Sequence, residues 1–244
     1  LGLCNAFTSE GGNLHFSTRV KKLEPNSNHG WSLTTSRGPL SAKVVVANLL
    51  PSALRSLLPQ KYSTPSSFET LQNQVHSGWG AAMLYMVAKT SKTSVAEHWQ
   101  LVANRDQPFH SGNHVFSSIS GSSESTQRGG EGFRTLTLST HVPMKELISY
   151  STNQRSDFIS QIQATMRHTF NNHCPDWATI IHTEFPASPR TFQRFTGRPD
   201  GFVGGIPKRV GLRQYFHLGP RQVGRNLFMV GDSVFPGQSA LATA

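Results

Sequence analysis

The stretch that most constrains this chain is its close, residues 226–244, reading NLFMVGDSVFPGQSALATA. Leu227, Phe228, Met229 and Val230 make an apolar run long enough for one buried strand. Gly231, Asp232 and Ser233 break the run, and Pro236 with Gly237 is turn chemistry. From Gln238 onward the small residues suit the first turns of a helix packed closely against a neighbour. A buried strand, a tight turn and a bare helix N-terminus together form a device for holding an anion or a cofactor. The first N–H groups of a helix lack partners within it, and the helix dipole favours negative charge there.

Two chemistries compete for this turn. As an esterase nucleophile, Ser233 needs a His and an acid from later in the chain, and no His follows it. The tetrapeptide Ser111-Gly112-Asn113-His114 supplies no such partner by mere contiguity. As a flavin turn, Asp232 accepts a hydrogen bond from a ribityl hydroxyl or sits beside the diphosphate. The helix starting near Pro236 then points its positive end at the isoalloxazine C2=O, where negative charge gathers on reduction.

The pattern N-L-F-x-V-G-D-S-x-x-P-G, running on into a helix of small residues, resembles the C-terminal flavin segment of the phytoene desaturase and carotenoid isomerase group, within the amine-oxidase-like flavoproteins. Two further segments resemble the same group in the same order. Gly11-Gly12, a strand ending at Val20, a hairpin and then V-V-V-A-N-x-x-P over residues 44–51 look like the segment that passes beside the adenine, with the backbone of Val20 facing that ring. P-R-T-F-x-R-F-T-G-R from Pro189, followed by Gly201, Gly204 and Gly205, looks like the crossing from substrate domain to flavin domain. There Arg190, Arg194 and Arg198 recur every fourth residue. The resemblance places one or two of them near the flavin pyrimidine or a cofactor phosphate, where planar donors suit an anion.

The resemblance implies an α/β (α+β) chain that is the C-terminal portion of a two-domain flavoprotein. Residues 1–51 and 191–244 are then pieces of the FAD-binding domain, flanking an inserted sheet-plus-helix substrate domain over 52–190. Such proteins are about twice as long and carry Gly-x-Gly-x-x-Gly after an early strand. That fingerprint is missing from these 244 residues, and the three glycines at 201–205 have the wrong spacing. The expectation is therefore a fragment that, alone, holds FAD weakly and does not turn over.

Composition narrows the alternatives. Lys and Arg number 23 against 13 Asp and Glu, but the basic residues are scattered, with no basic helix, zinc ligand set or aromatic RNA-binding motif. Nucleic acid is not expected. An anionic membrane surface suits such a face better, particularly with a lipid substrate. Cys4 and Cys174 are too few and too far apart for a disulfide framework or a metal site. His168 and His173 lie off the i, i+4 spacing of a helical metal pair. No apolar run approaches the ~20 residues of a membrane span. The expectation is a peripheral membrane protein, on the cytoplasmic side or on a plastid thylakoid.

Taken in order, alternation over 13–20 predicts a half-buried strand, with further strands over 31–36 and 41–47 and with Val44, Val45 and Val46 buried. A short helix over 52–58 is capped by Ser52, and 59–68 form a loop. Strands follow over 78–90, 99–103, 115–119 and 134–141, with a polar Gly/Ser loop over 121–132. The helix over 144–173 has a polar break at 151–156, and 177–185 form another strand. Pro199 and the Thr residues favour an extended or turned stretch over 188–198. Met83, Tyr85 and Trp99 are candidates to line an apolar substrate tunnel.

The implied reaction is desaturation or cis–trans isomerisation of a carotenoid or other polyene lipid, with hydride exchange at flavin N5. The catalytic base is not identifiable from these residues; His76, Glu97 and Asp200 are candidates. An amine or other small-molecule flavin oxidase shares the turn and stays open. So does a non-enzymatic basic module that associates with lipid or nucleic acid.

Overall fold

The computed structural model describes residues 2–90, 95–124, 130–205 and 221–234. Helix α1 (Gly2–Ser9) opens the chain and buries none of its residues. Residues 13–19 form no strand: alternation makes a two-faced ribbon but supplies no pairing partner, and Leu14 and Phe16 stay exposed. Pairing begins at β1 (Val20–Pro25), which runs antiparallel to β2 (Trp31–Thr35), itself paired with β3 (Gly38–Ala42). The Asn26 side-chain oxygen holds the turn between β1 and β2, accepting from the N–H of Asn28 and of Gly30 at 3.1 and 2.9 Å.

The single strand expected over 41–47 is divided between two sheets. After β3, the chain leaves for β4 (Val45–Ala47), which pairs in parallel with β11 (Leu227–Met229) from the far end of the chain. The Val230 N–H extends that ladder to the Ala47 C=O at 3.0 Å, and β10 (Gln222–Gly224) flanks β11 on its other edge. Successive strand residues face opposite ways. Ala47 is therefore buried and Val45 packs on the core, while Val44 and Val46 are exposed, contrary to the burial expected of all three valines.

Trp31 ties these two sheets together. It is buried to 1 % exposure, its Nε1 donates to the Arg225 C=O at 3.1 Å, and its ring meets Tyr62 at 5.5 Å. Helix α2 (Pro51–Leu57) packs beside it. Pro51 occupies its first turn and Leu50 stands at its N-cap, so Ser52 lies inside the helix and caps nothing. Helix α3 (Ser66–His76) begins inside the expected loop, and its Phe68, Leu71 and Val75 form a buried stripe.

The third sheet runs β6-β7-β8-β5-β9 and is antiparallel throughout. Its strands are β5 (Trp79–Lys89), β6 (Glu97–Val102), β7 (His114–Ile119), β8 (Phe133–Pro143) and β9 (Ile181–Ala187). Ala82, Leu84 and Met86 of β5 and Leu136 and Leu138 of β8 are buried on one face. Covering that face is the long helix α5 (Thr152–His173), through Ile159, Ile162, Met166 and Phe170. Each such side chain contributes about 1.5–3 kcal/mol by burial. The other face of the sheet, the open face, is left exposed at Tyr85, Phe116 and Phe185.

The polar break expected over 151–156 is confined to Tyr150 and Ser151, and residues 152–156 are already helical. Helix α4 (Met144–Ser149) ends before it, and α5 starts with a capping box in which the Ser151 N–H donates to Gln154 Oε1 at 3.0 Å. One helical turn, α6 (Pro175–Ala178), follows α5, so β9 starts at Ile181 and not at Trp177.

Candidate functional site

Residues 188–196, expected to be extended, form helix α7 (Pro189–Thr196). Pro189 at the first position has its φ preset, and Thr191 Oγ1 accepts the Ser188 N–H at 3.1 Å. Gly197, at φ +69°, ends the helix with a left-handed residue. These end signals prevail over the weak helix propensity of threonine.

The stop at Gly197 decides what the three spaced arginines do. Arg190 and Arg194 remain on the helix and are exposed, with the Arg194 guanidinium 5.5 Å from the Phe195 ring centroid. Arg198 leaves the helix and turns inward. Its Nε donates to the Phe202 C=O at 2.7 Å, and one Nη donates to Asp232 Oδ2 at 2.9 Å. Both side chains of this ion pair are nearly three-quarters buried, at 29 % and 27 % exposure, and the guanidinium fixes the carboxylate's position.

The turn after β11 is built by close backbone approach. Gly231 has φ +106°, and a Cβ there would lie 2.2 Å from Asn48 Oδ1. Gly205 has φ +58°, and a Cβ there would lie 2.0 Å from the Asp232 carbonyl oxygen. At Gly205 the obstacle is backbone and cannot move aside. At Gly231 it is the tip of the exposed Asn48 side chain, and the positive φ is what disfavours a side chain there. Ser233 is fully buried; its hydroxyl donates to Asp232 Oδ1 at 3.4 Å, while the Val234 N–H closes on the Gly231 C=O at 3.1 Å. The turn is thus seated between Asn48 at the end of β4, Gly205, and Arg198. Pro236, Gly237, Gln238 and the helix expected after them lie outside the described residues. Val20 stands at the head of β1, half-buried, in a different sheet from the turn.

The crossing segment also connects the turn to the third sheet. The Val203 N–H donates to the Trp79 C=O at 2.7 Å, two residues before Gly205. Trp79 starts β5, so the open face of the sheet begins where the turn lies. Met83 and Tyr85 are on that face, with Val87 beyond them on β5 and Phe116 and Phe185 on the neighbouring strands. Tyr85, Phe116 and Phe185 are exposed. Trp99 is not on it: its partner is the fully buried Ser117, and it packs on the core from the side that α5 covers. None of the open-face strand positions is Asp or Glu. Glu184 faces α5, where Arg167 binds it.

The candidate bases are dispersed. His76 ends α3 and meets the Phe202 ring edge-on at 5.6 Å, beside the crossing segment. Asp200 is exposed, at φ +53° in the turn after Gly197. Glu97 is opposite the buried Ile119, on the covered side of the sheet. It acts there on Cys174, whose thiol is pushed up by burial first and by that carboxylate second. A shallow depression of about 430 Å³ beside Cys174, lined by His98, Trp99 and His173, lies at the β6 edge and away from the turn.

A feature not anticipated from the sequence stands at the near end of the open face. His110 and His141 flank Trp79, whose ring lies 5.5 Å from that of His110 and 5.6 Å from that of His141, and His114, whose ring meets Phe109, acts on His141 by its charge. His141 keeps an exposed edge, but its packing against neighbours lowers its pKa, and the charges of His114 and then His110 lower it further. His110 and His114 are close in sequence, but His141 joins them only through the pairing of β7 with β8. Among the described residues no group of His, Cys, Asp and Glu has the geometry to hold a metal ion.

No family model and no curated protein matches this chain. Solved structures do share its fold. An oxidoreductase from Methanosarcina mazei matches with a TM-score of 0.59 at 11% identity, over 99% of this chain and 50% of its own. A candidate protoporphyrinogen oxidase from Exiguobacterium sp. 255-15 matches at 0.53 and 13% identity, over 95% of this chain and 46% of its own. Cyclohexylamine oxidase from Brevibacterium oxydans IH-35A matches at 0.53 and 12% identity, with the same coverage. The chain spans about half the length of each. It has the mixed α/β architecture of part of these oxidoreductases.

Proposed function

We propose that this chain supplies the substrate-side sheet and the ring-end turn of an FAD-dependent redox enzyme acting on a polyene lipid of the carotenoid kind, by desaturation or cis–trans isomerisation. One observation carries the reading. The Gly231–Asp232–Ser233 turn, free of a side chain at Gly231 and pinned by Arg198, adjoins through the Val203–Trp79 hydrogen bond the end of an open sheet face on which Met83, Tyr85, Phe116 and Phe185 stand among Ser and Thr residues. The flavin, when bound, supplies the two-electron chemistry. The residues of this chain do the rest: Asp232 accepts from a ribityl hydroxyl, Gly231 and Gly205 permit close approach, and Met83, Tyr85, Phe116 and Phe185 exclude water and lay the substrate flat.

The fold likeness to an amine oxidase supports a second reading, oxidation of an amine. Against it stands the open face, where no carboxylate is placed to receive a cation. The excess of basic residues, with Phe195 exposed beside Arg194 on α7, supports peripheral contact with an anionic membrane. No described helix is long and apolar enough to cross one.

Flavin titration of the purified protein tests the cofactor. Binding should shift the flavin absorbance, and Arg198→Met should weaken binding roughly tenfold by releasing Asp232. Unchanged affinity in that variant removes the turn from the site. Binding trials of this chain with carotenoids and with amines then separate the two substrate readings, since turnover is not expected of it alone.

A further inference from the structure

The open face of the third sheet is not uniform. Its middle sets Met83, Tyr85, Phe116 and Phe185 among Ser139, Thr137 and Ser118, while the end beside the turn carries three imidazoles arranged by the loop between β6 and β7. Ser111 at φ +53° and Gly112 at φ +89° carry that loop between β6 and β7. A Cβ on Gly112 would lie 2.8 Å from the Ile162 carbonyl oxygen, so the loop is pressed against α5. The Gly112 N–H donates to Thr140 Oγ1 at 3.0 Å, Thr140 Oγ1 donates to the His114 C=O at 2.7 Å, and Thr169 Oγ1 donates to the Gly112 C=O at 3.1 Å. The Ser111 N–H donates to the His141 C=O at 2.8 Å. These bonds hold the backbones of His110, His114 and His141 at fixed separations. Two of the rings are oriented as well: His110 Nδ1 pairs with Ser111 Oγ at 2.8 Å, and His114 Nε2 with Gln100 Oε1 at 3.1 Å.

The rings of His110 and His141 both meet Trp79, the charges of His114 and His110 act on His141, and no strand position of this face carries a carboxylate to offset them. An anion seated among them reverses the sign of that interaction and lets protons bind. Resting on the reading of the open face as the substrate wall, we propose that this cluster receives a carboxylate, so that the polyene ligand it takes carries an acid group at one end. The titratable groups acting on His141 are His114 from β7 and His110 from the loop. On β5 its register partner is Ala81, and Trp79 meets its ring. His141, its pKa lowered, gains its proton as pH falls, and the affinity for an acid rises with it. Lys89 stands at the other end of the same face and is the competing anchor.

The test compares a conjugated polyene fatty acid with its methyl ester, read by quenching of tryptophan fluorescence in the protein as purified. The acid should bind about tenfold more tightly than the ester at pH 6, with the preference shrinking by pH 8. His110→Gln/His141→Gln should abolish the preference and leave the ester's affinity unchanged, which also shows that the variant is folded. Lys89→Gln should keep the preference. Equal binding of acid and ester, or no binding of either, overturns the proposal. So does a preference that survives the histidine variant or is lost in Lys89→Gln. Flavin titration is independent of these ligands. Retained flavin with no acid preference removes the carboxylate site alone, whereas a loss of flavin binding in Arg198→Met with the preference intact leaves both readings standing.

Discussion

At the scale of single residues, the site depends on positions where a side chain is forbidden. Gly205 combines φ +58° with a contact that places any Cβ 2.0 Å from the Asp232 carbonyl. Gly205→Ala must strain the backbone and displace the turn together. We expect a loss of order 2 kcal/mol or more in thermal or denaturant unfolding, and a flavin affinity below that of the parent. A variant as stable as the parent would show that the approach of the crossing segment to the turn is not enforced by packing. Arg198 makes the complementary point. In the sequence it is the third member of an evenly spaced series, equivalent to Arg190 and Arg194. Gly197 breaks the equivalence by ending the helix, and only then does one arginine of the three reach Asp232.

At the scale of elements, helix ends matter more than composition. The break near residue 151 was legible as a polar interruption. The structure starts α5 there with a capping box of Ser151 and Gln154, a spacing that the sequence carries and that its polarity alone does not reveal. Gln154→Ala leaves the Ser151 N–H without its side-chain partner and should cost about 0.5–2 kcal/mol, measured by urea unfolding. A change below a few tenths would mean that α5 owes its start to packing alone. Helix α7 carries comparable signals in Ser188, Pro189 and Gly197, yet the Thr residues and Pro199 pointed towards extended chain. Strand alternation misled in the opposite sense at residues 13–19, where the pattern is present and no partner strand is. A period of two is necessary for a half-buried strand but does not supply the hydrogen bonds.

At the scale of the whole molecule, the parallel pairing of β4 with β11 brings segments from opposite ends of the chain together, and the Val203–Trp79 bond adds the third sheet. The same assembly builds the histidine cluster, with a consequence for stability. The pKa of His141 is lowered in the folded protein, so in the window below the ordinary histidine value of about 6.5 the unfolded chain binds more protons. Stability should therefore fall as pH drops from 7 through that value, and level off once the lowered folded pKa is passed. His141→Gln should remove this component, seen as a smaller difference between unfolding free energies at pH 7 and pH 5.5. An identical pH dependence in parent and variant would show that His141 is not perturbed by its neighbours.

The residues by themselves determined local matters: the strand at 227–229, the long strands of the third sheet, the amphipathic stripe of α5, and the Gly-Asp-Ser turn with its chemical character. These follow from nearest-neighbour sterics, hydrogen-bonding capacity and hydrophobic period, which act over a few residues. Tertiary structure alone decided which faces met. It put Trp99 on the covered side and Met83 and Tyr85 on the open one, chose Arg198 over Arg190 and Arg194, and drew His141 to His110 and His114. Strand register and the place where a helix stops set these outcomes. Shifting either by one residue reverses which way a side chain points, and no composition or local pattern records that choice.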